Sequence, residues 1–441
     1  MNIKPQRVIL AFALLTLTTL QSCTAQTENV ADYTGDIATI WNKKVINYAI
    51  AEDNLFTLKG VRTVAMMHVA MHDALNAIVP KYSNYAYKGD NSGANPTAAV
   101  AQAAYEVVVN QFPDKKTELD QELSKWLSDV EDGNSKNEGV NLGKAAAAAI
   151  LEKRSNDTWN EQVDYTWHPM SPGVYAEFNE HSGTPEGFIF GAGWSKAKTF
   201  LLTSSDQFRS PPPPAINSDA YTKAYNEVKE VGATVSKTRT KDQAHYAMWW
   251  KEFIEISVNR LAGELIAKEK LNLWDATRSY ALINMNIHDA YINVFDNKFF
   301  YNHWRPYTAI HWAANDENPA TEPDTTWNTL HKHTYPFPSY PSAHGAANGA
   351  AFTALANTLG LGDKYAFTMT VPEVDSSGPM SGKMKMNPPE RNFKSFSEAA
   401  LEGAMSRLYL GIHFRYDSEE GNKLGTKIGE YASQNFLTPI K

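Results

Sequence analysis

Residues 278–295 read RSYALINMNIHDAYINVF. Apolar side chains recur along it at spacings of three and four, the signature of a helix that buries one face. A second stretch, residues 61–78, reads VRTVAMMHVAMHDALNAI and has the same period. Both carry one landmark. Arg62-Thr63-Val64-Ala65 stands ten residues before His72-Asp73-Ala74, and Arg278-Ser279-Tyr280-Ala281 stands as far before His288-Asp289-Ala290. The echo predicts two related helical units. Helical spacing also runs over 97–112, 140–153, 221–231, 241–266, 345–359, 397–410 and 424–436, and begins near Ile37. Strand-like alternation is scarce, so the fold is read as all-α. Pro211 to Pro214 mark the joint, giving an N-terminal bundle over 36–215 and a C-terminal bundle over 216–441.

The composition narrows the function. Of 441 residues, 43% are hydrophobic and 20% charged, enough apolar material for a large core and too little charge for a disordered chain. Lys and Arg number 41 against 49 acids, a formal net charge of −8. A nucleic-acid binder would show a basic surplus, so that class is disfavoured. An anion site must then come from local clustering of cations. The single cysteine, Cys23, excludes a disulfide scaffold within the chain. It follows basic Lys4 and Arg7 and an apolar run from Val8 to Leu20, which is the plan of a signal peptide. Leu20-Gln21-Ser22-Cys23 resembles a lipoprotein cleavage box. The expectation is a signal over 1–22, lipidation of Cys23, a polar tether over 23–35 and a protein anchored by lipid on the periplasmic side of a bacterial membrane.

His68 and His72 are spaced as metal ligands on one helix face would be, but no HExxH motif accompanies them. They, with Asp73, His288 and Asp289, are read as buried residues hydrogen-bonded between helices.

Three segments in the last third share one chemical character. Lys298 and Arg305 are seven apart, which on one helix would point both cations the same way, and Pro306 predicts that the helix ends near Arg305. Phe299, Phe300, Tyr301 and Trp304 between them imply a half-buried setting, where cations need a counter-charge. The second segment, Phe337 to His344, precedes a small-residue helix from Gly345. Amides at such a helix start favour an anion, Ser342 adds a hydroxyl, and His344 stands where acid–base work is done. In the third, Arg407 and His413 are six apart and would diverge on an unbroken helix; Gly411 permits a bend. Asp417, four beyond His413, can fix its tautomer. Two guanidiniums, an ammonium, a hydroxyl and two imidazoles describe a site for a highly charged tetrahedral oxyanion.

In these segments the sequence resembles the vanadium-dependent haloperoxidases of the type 2 phosphatidic acid phosphatase superfamily, in their bacterial branch. The family pattern K-x6-RP, PSGH, SR-x5-H-x3-D stands here as Lys298-x6-Arg305-Pro306, Pro341-Ser342-Ala343-His344 and Ser406-Arg407-x5-His413-x3-Asp417. The resemblance implies two four-helix bundles. It implies vanadate as cofactor, its oxygens held by Lys298, Arg305, Ser342, Arg407 and the Ala343 amide. It implies vanadium on His413 with Asp417 behind it, and His344 as the acid–base group. Ala343 replaces the family's glycine and keeps its N–H. Phe337 falls at a halide-side position. Tyr82 and Gly89 stand in the first copy of the echo where Lys298 and Arg305 stand in the second, so only the C-terminal bundle is expected to carry a site.

The implied activity is oxidation of a halide, iodide or bromide, by hydrogen peroxide to hypohalous acid. The alternative is an acid phosphatase in which His413 attacks phosphorus and His344 protonates the leaving alcohol. The aromatic-Arg-aromatic-Asp run at Phe414 to Asp417 and a long chain without membrane spans favour the haloperoxidase. A third reading, a non-catalytic surface lipoprotein, would not need so many convergent ionisable groups. Self-association into a homo-oligomer is left open.

Overall fold

The computed structural model describes Met1 and residues 29–176 and 181–440. The leader and Cys23 lie outside the described residues. The helices are α1 (Asp36–Asp53), α2 (Lys59–Ile78), α3 (Pro96–Gln111), α4 (Lys116–Ser128), α5 (Asn134–Lys153), α6 (Asp219–Val231), α7 (Lys241–Trp249), α8 (Ile254–Lys268), α9 (Leu273–Tyr301), α10 (Pro306–Trp312), α11 (Ala343–Thr358), α12 (Phe396–Tyr409) and α13 (Arg415–Asn435). The fold is all-helical apart from two small antiparallel pairs. In one, β1 (Phe367–Thr370) pairs with β4 (Glu390–Phe393), Phe367 opposite Phe393. In the other, β2 (Glu373–Asp375) pairs with β3 (Lys383–Lys385), Val374 opposite Met384. No helix among the described residues is long and apolar enough to cross a membrane.

Side-chain caps set several starts, since the first amides of a helix lack internal acceptors. Asn95, Ser218, Asn272, Ser342 and Ser395 each accept from an amide of their helix, and Thr240 with Gln243 forms a capping box. The helices α2 and α9 are buried on nearly every side and pack on each other, so each must be apolar or internally satisfied all round. One core cluster therefore runs through both halves, including Trp41, Val69, Trp274 and Phe352.

The segments 278–295 and 61–78 are helical, within longer helices. The stretch 241–266 is two helices, α7 and α8, parted at Trp250–Phe253. The expectation that Lys298 and Arg305 share a helix is corrected. Asn302 takes a left-handed φ of 47° and ends α9, and Arg305 is extended at the start of α10. His68 bonds Asn42 of α1 at 3.1 Å, a bond between helices. His72 bonds the carbonyl of Ser83, and Asp73 and Asp289 bond loop backbone rather than neighbouring helices.

Candidate active site

Helices α11 and α13 place the site. Glycines let their backbones meet: a Cβ on Gly425 would lie 1.9 Å from the carbonyl oxygen of Ala346, and one on Gly421 2.3 Å from that of Ser342. The start of α11 is thereby laid on the start of α13, and the Ser342 amide donates to the Asp417 carbonyl at 2.9 Å. Ser342 caps α11 by accepting from the Gly345 amide at 3.2 Å, which leaves its own proton to give. His344 is the second residue of that helix. Between α12 and α13 the chain bends at Gly411, with φ 82°. The bend turns Arg407 and His413 toward one point.

Lys298, Arg305, Arg407, Ser342, His413 and Asp417 are all buried. The Lys298 ammonium donates to the carbonyls of Pro338 at 3.0 Å and Ser339 at 2.7 Å. Arg305 donates from Nε to the Phe337 carbonyl at 2.9 Å and from Nη1 to the Ile412 carbonyl at 3.0 Å, with His413 Nε2 3.1 Å from the same Nη1. Arg407 donates from Nη2 to the Trp250 carbonyl at 2.6 Å. Arg305 Nη2, Arg407 Nε and His344 Nε2 are buried without a partner. The ring of Phe337 lies 5.2 Å from the Lys298 nitrogen and 4.7 Å from the Arg305 guanidinium.

The His413 ring is oriented from behind. Its Nδ1 is 2.9 Å from Asp417 Oδ2 and 3.2 Å from Ser339 Oγ, and the same carboxylate oxygen accepts from Ser339 Oγ and, at 3.1 Å, from the Phe414 amide. The proton on Nδ1 leaves the lone pair of Nε2 facing the cations. Burial, then Arg305, Lys298 and Arg407, hold His413 well below the ordinary imidazole range. Burial and Arg407 do the same to His344. Burial and Arg305 press Lys298 far down, and burial pushes Arg305 and Arg407 down to about 10. Burial raises the Asp417 carboxyl, against the Ser339 hydrogen bond and the nearby cations.

The charge does not close. Lys298 and Arg305 share the carboxylate of Asp417, and the groups acting on Arg407 are the phenols of Tyr335 and Tyr291, which burial keeps protonated and neutral. Buried cations with free donors call for an anion. No cluster of three or more His, Cys, Asp or Glu able to hold a metal ion occurs among the described residues. The donor set therefore suits an oxyanion held through its oxygens.

The structure brings together Lys298, Arg305, Ser342, His344, Arg407, His413 and Asp417, with Phe337 as one wall, whereas Phe300, expected to be half-buried, is 65% exposed and lies over Arg209. The sequence reading missed three contributors. Ser339 lies inside a quoted segment, but only its contact with His413 and Asp417 reveals it. Lys251 and Glu255 face the same cavity as His344, Arg407 and His413 from the α7–α8 break and the start of α8, and carry no motif.

The family model described as the VCPO second helical-bundle domain matches residues 278–441. The vanadium chloroperoxidase of Curvularia inaequalis is 24% identical over 280 residues, covering 51% of this chain and 45% of that one, so the chain spans about half the length of this relative. Among solved structures, a bacterial vanadium-dependent iodoperoxidase aligns with TM-score 0.72 and 23% identity over 94% of this chain and 98% of that one. A holo bacterial vanadium-dependent chloroperoxidase aligns with TM-score 0.65 and 15% identity over 93% of this chain and 94% of that one. The fold is the helical-bundle fold of these proteins.

Proposed function

We propose that this chain, whose residues 278–441 match the VCPO second helical-bundle domain, is a vanadate-dependent haloperoxidase that oxidises a halide with hydrogen peroxide to hypohalous acid. The observation that carries the reading is the uncompensated charge of Lys298, Arg305 and Arg407, with Arg305 Nη2 and Arg407 Nε unpartnered. A tetrahedral oxyanion of two or more negative charges answers it. Lys298, Arg305, Arg407, Ser342 Oγ and the Ala343 amide would hold vanadate oxygens, and His413 Nε2 its central atom.

When bound, vanadate would supply a Lewis-acidic centre that activates peroxide to take two electrons from a halide. The protein's part is preparation. Asp417 and Ser339 hold His413 in one tautomer and one orientation. His344, kept neutral with Nε2 free, takes a proton from incoming peroxide. The three cations are preorganised toward developing negative charge. Iodide is the halide we assign first, as the easiest to oxidise, with bromide next; the iodoperoxidase among the structural relatives supports that order.

The test is reconstitution with vanadate, followed by triiodide and tribromide formation with peroxide beside hydrolysis of p-nitrophenyl phosphate. Halide oxidation without ester turnover is expected. Ester turnover without halide oxidation would assign the site to a phosphatase with His413 as nucleophile.

A further inference from the structure

The two copies of the sequence echo treat their arginines differently. Arg62 and Arg278 hold the same place in it, ten residues before His72 and His288, and both are buried, at 4% and 7% exposure. Arg62 is satisfied by the chain on every guanidinium nitrogen. Its Nε donates to Asp157 Oδ2 at 2.5 Å, its Nη1 to Gln111 Oε1 at 2.7 Å and its Nη2 to the Arg154 carbonyl at 2.9 Å. Arg278 donates only from Nε, to the Leu437 carbonyl at 2.7 Å, and its two Nη groups have no partner among the described residues. No carboxylate pairs with it there. Asp275, near by, is taken up by Lys81, Tyr82 and Asn272.

Instead of a carboxylate, Arg278 meets a cavity of about 610 Å³, within the ~300–1,000 Å³ usual for ligand sites. A desolvated guanidinium with its planar fork free calls for a bidentate acceptor, and a carboxylate matches that fork. Other walls of the cavity have the opposite sign. Glu430 and Gln434, in the last turns of α13, line it, as do Asn357 to Gly360, where α11 ends. Helix C-terminal ends present free carbonyls and partial negative charge, and Glu430 adds a full charge that no cation pairs among the described residues. These groups favour a cation and repel a second anion.

We propose that this cavity is a second binding site, for an amino acid, with the ligand's carboxylate on the Arg278 fork and its ammonium toward Glu430 and the end of α11. The site stands apart from the anion site. Helix α11 begins at the one and ends at the other, and its 16 residues span ~24 Å at 1.5 Å per residue. Binding there does not rest on the haloperoxidase reading.

The probes are glycine, β-alanine, γ-aminobutyrate and δ-aminovalerate, which set the two charges progressively further apart. Butyrate and succinate, which lack the ammonium, are the controls. Each is titrated calorimetrically into protein saturated with vanadate, so that the cationic site is already filled. Saturable one-to-one binding of at least one amino acid is expected, with both controls at least tenfold weaker than the best of the series. Arg278→Lys keeps the charge and loses the fork, and should weaken that amino acid at least tenfold. Glu430→Gln alters an exposed side chain without a partner in the fold, and should weaken it at least threefold while leaving butyrate unchanged. Saturable binding by no member of the series, or butyrate binding as tightly as the best of them, overturns the proposal. So does wild-type affinity in Glu430→Gln or in a folded Arg278→Lys; should Arg278→Lys fail to fold, Glu430→Gln decides alone. Binding that appears only in vanadate-free protein belongs to the cationic site and overturns the proposal as well.

Discussion

Asp73 and Asp289 hold the chain in the same manner. Asp73 accepts the amides of Tyr85, Ala86 and Tyr87 at 2.8, 2.6 and 2.8 Å, and Asp289 those of Phe200, Leu201 and Leu202 at 2.8, 2.7 and 2.9 Å. The two tied loops also touch, the Tyr85 hydroxyl donating to the Phe200 carbonyl at 2.7 Å. The repeated His-Asp of the sequence is thus a repeated loop anchor. Asp289→Ala strands three buried donors and is expected to cost about 3–5 kcal/mol. Asp73→Ala should cost a similar amount. Because the loops meet, the double variant should lose less than the sum. Urea midpoints measure all three; strict additivity would show that the loops act independently.

His413 and His344 part company in their expected phenotypes. His413→Ala should lower vanadate affinity at least a hundredfold and abolish halide oxidation. His344→Ala should keep affinity within about tenfold and lose most turnover, an effect of ~10²–10⁴ for a general acid–base group. Equilibrium titration with vanadate beside steady-state rates separates them. Equal loss of binding in both would contradict the roles given to these rings.

Ser339→Ala removes the hydroxyl that shares Asp417 Oδ2 with His413. Partners behind a metal-bound histidine are typically worth ~10–100-fold in affinity. We expect a loss at the low end, because Asp417 still reaches Nδ1 at 2.9 Å. Asp417→Ala should lose more. Were Ser339→Ala to match it, the hydroxyl rather than the carboxylate would be orienting the ring.

Stability should fall steeply in mild acid. Burial brings His68 and His303 down to about 3 and His72 to about 4. In the unfolded chain each titrates near 6.5. Their folded values are depressed, so their contribution is complete above pH 6.5 and drains away as pH falls toward 4. Each adds a slope of about 1.4 kcal/mol per pH unit, near 4 for the three. A Tm that stays level from pH 7 to pH 5 would count against this.

The long helices and the cationic motifs were legible because their signals are local. Apolar spacing marks a buried face, and the bend at Gly411 could be read from a glycine between two residues that must converge. The parting of α7 from α8 could not. Residues Trp250–Phe253 contain no proline or glycine, and the break is marked by partners far away in sequence: Arg407 takes the Trp250 carbonyl, and Lys251 donates to the carbonyls of Asp375 and Ser377. Lys298 and Arg305 meet by a left-handed turn at Asn302, not by helical period, so the right convergence was expected for the wrong reason. Strands β1 to β4 are three or four residues long, too short for alternation to register. Glu255 is an ordinary helix-start acid until the fold buries it.

Gly411 bears on more than the bend. A Cβ there would lie 2.4 Å from the carbonyl oxygen of Gly232, just past the end of α6, and Gly232 in turn has no room for one beside Gly411. The angle between the guanidinium and the imidazole is thus clamped from outside, by two backbones with no side chain between them. Variation at this corner has nowhere to go, so diversification of this scaffold toward other reactants must come through the walls around the anion rather than through the hinge that aims at it.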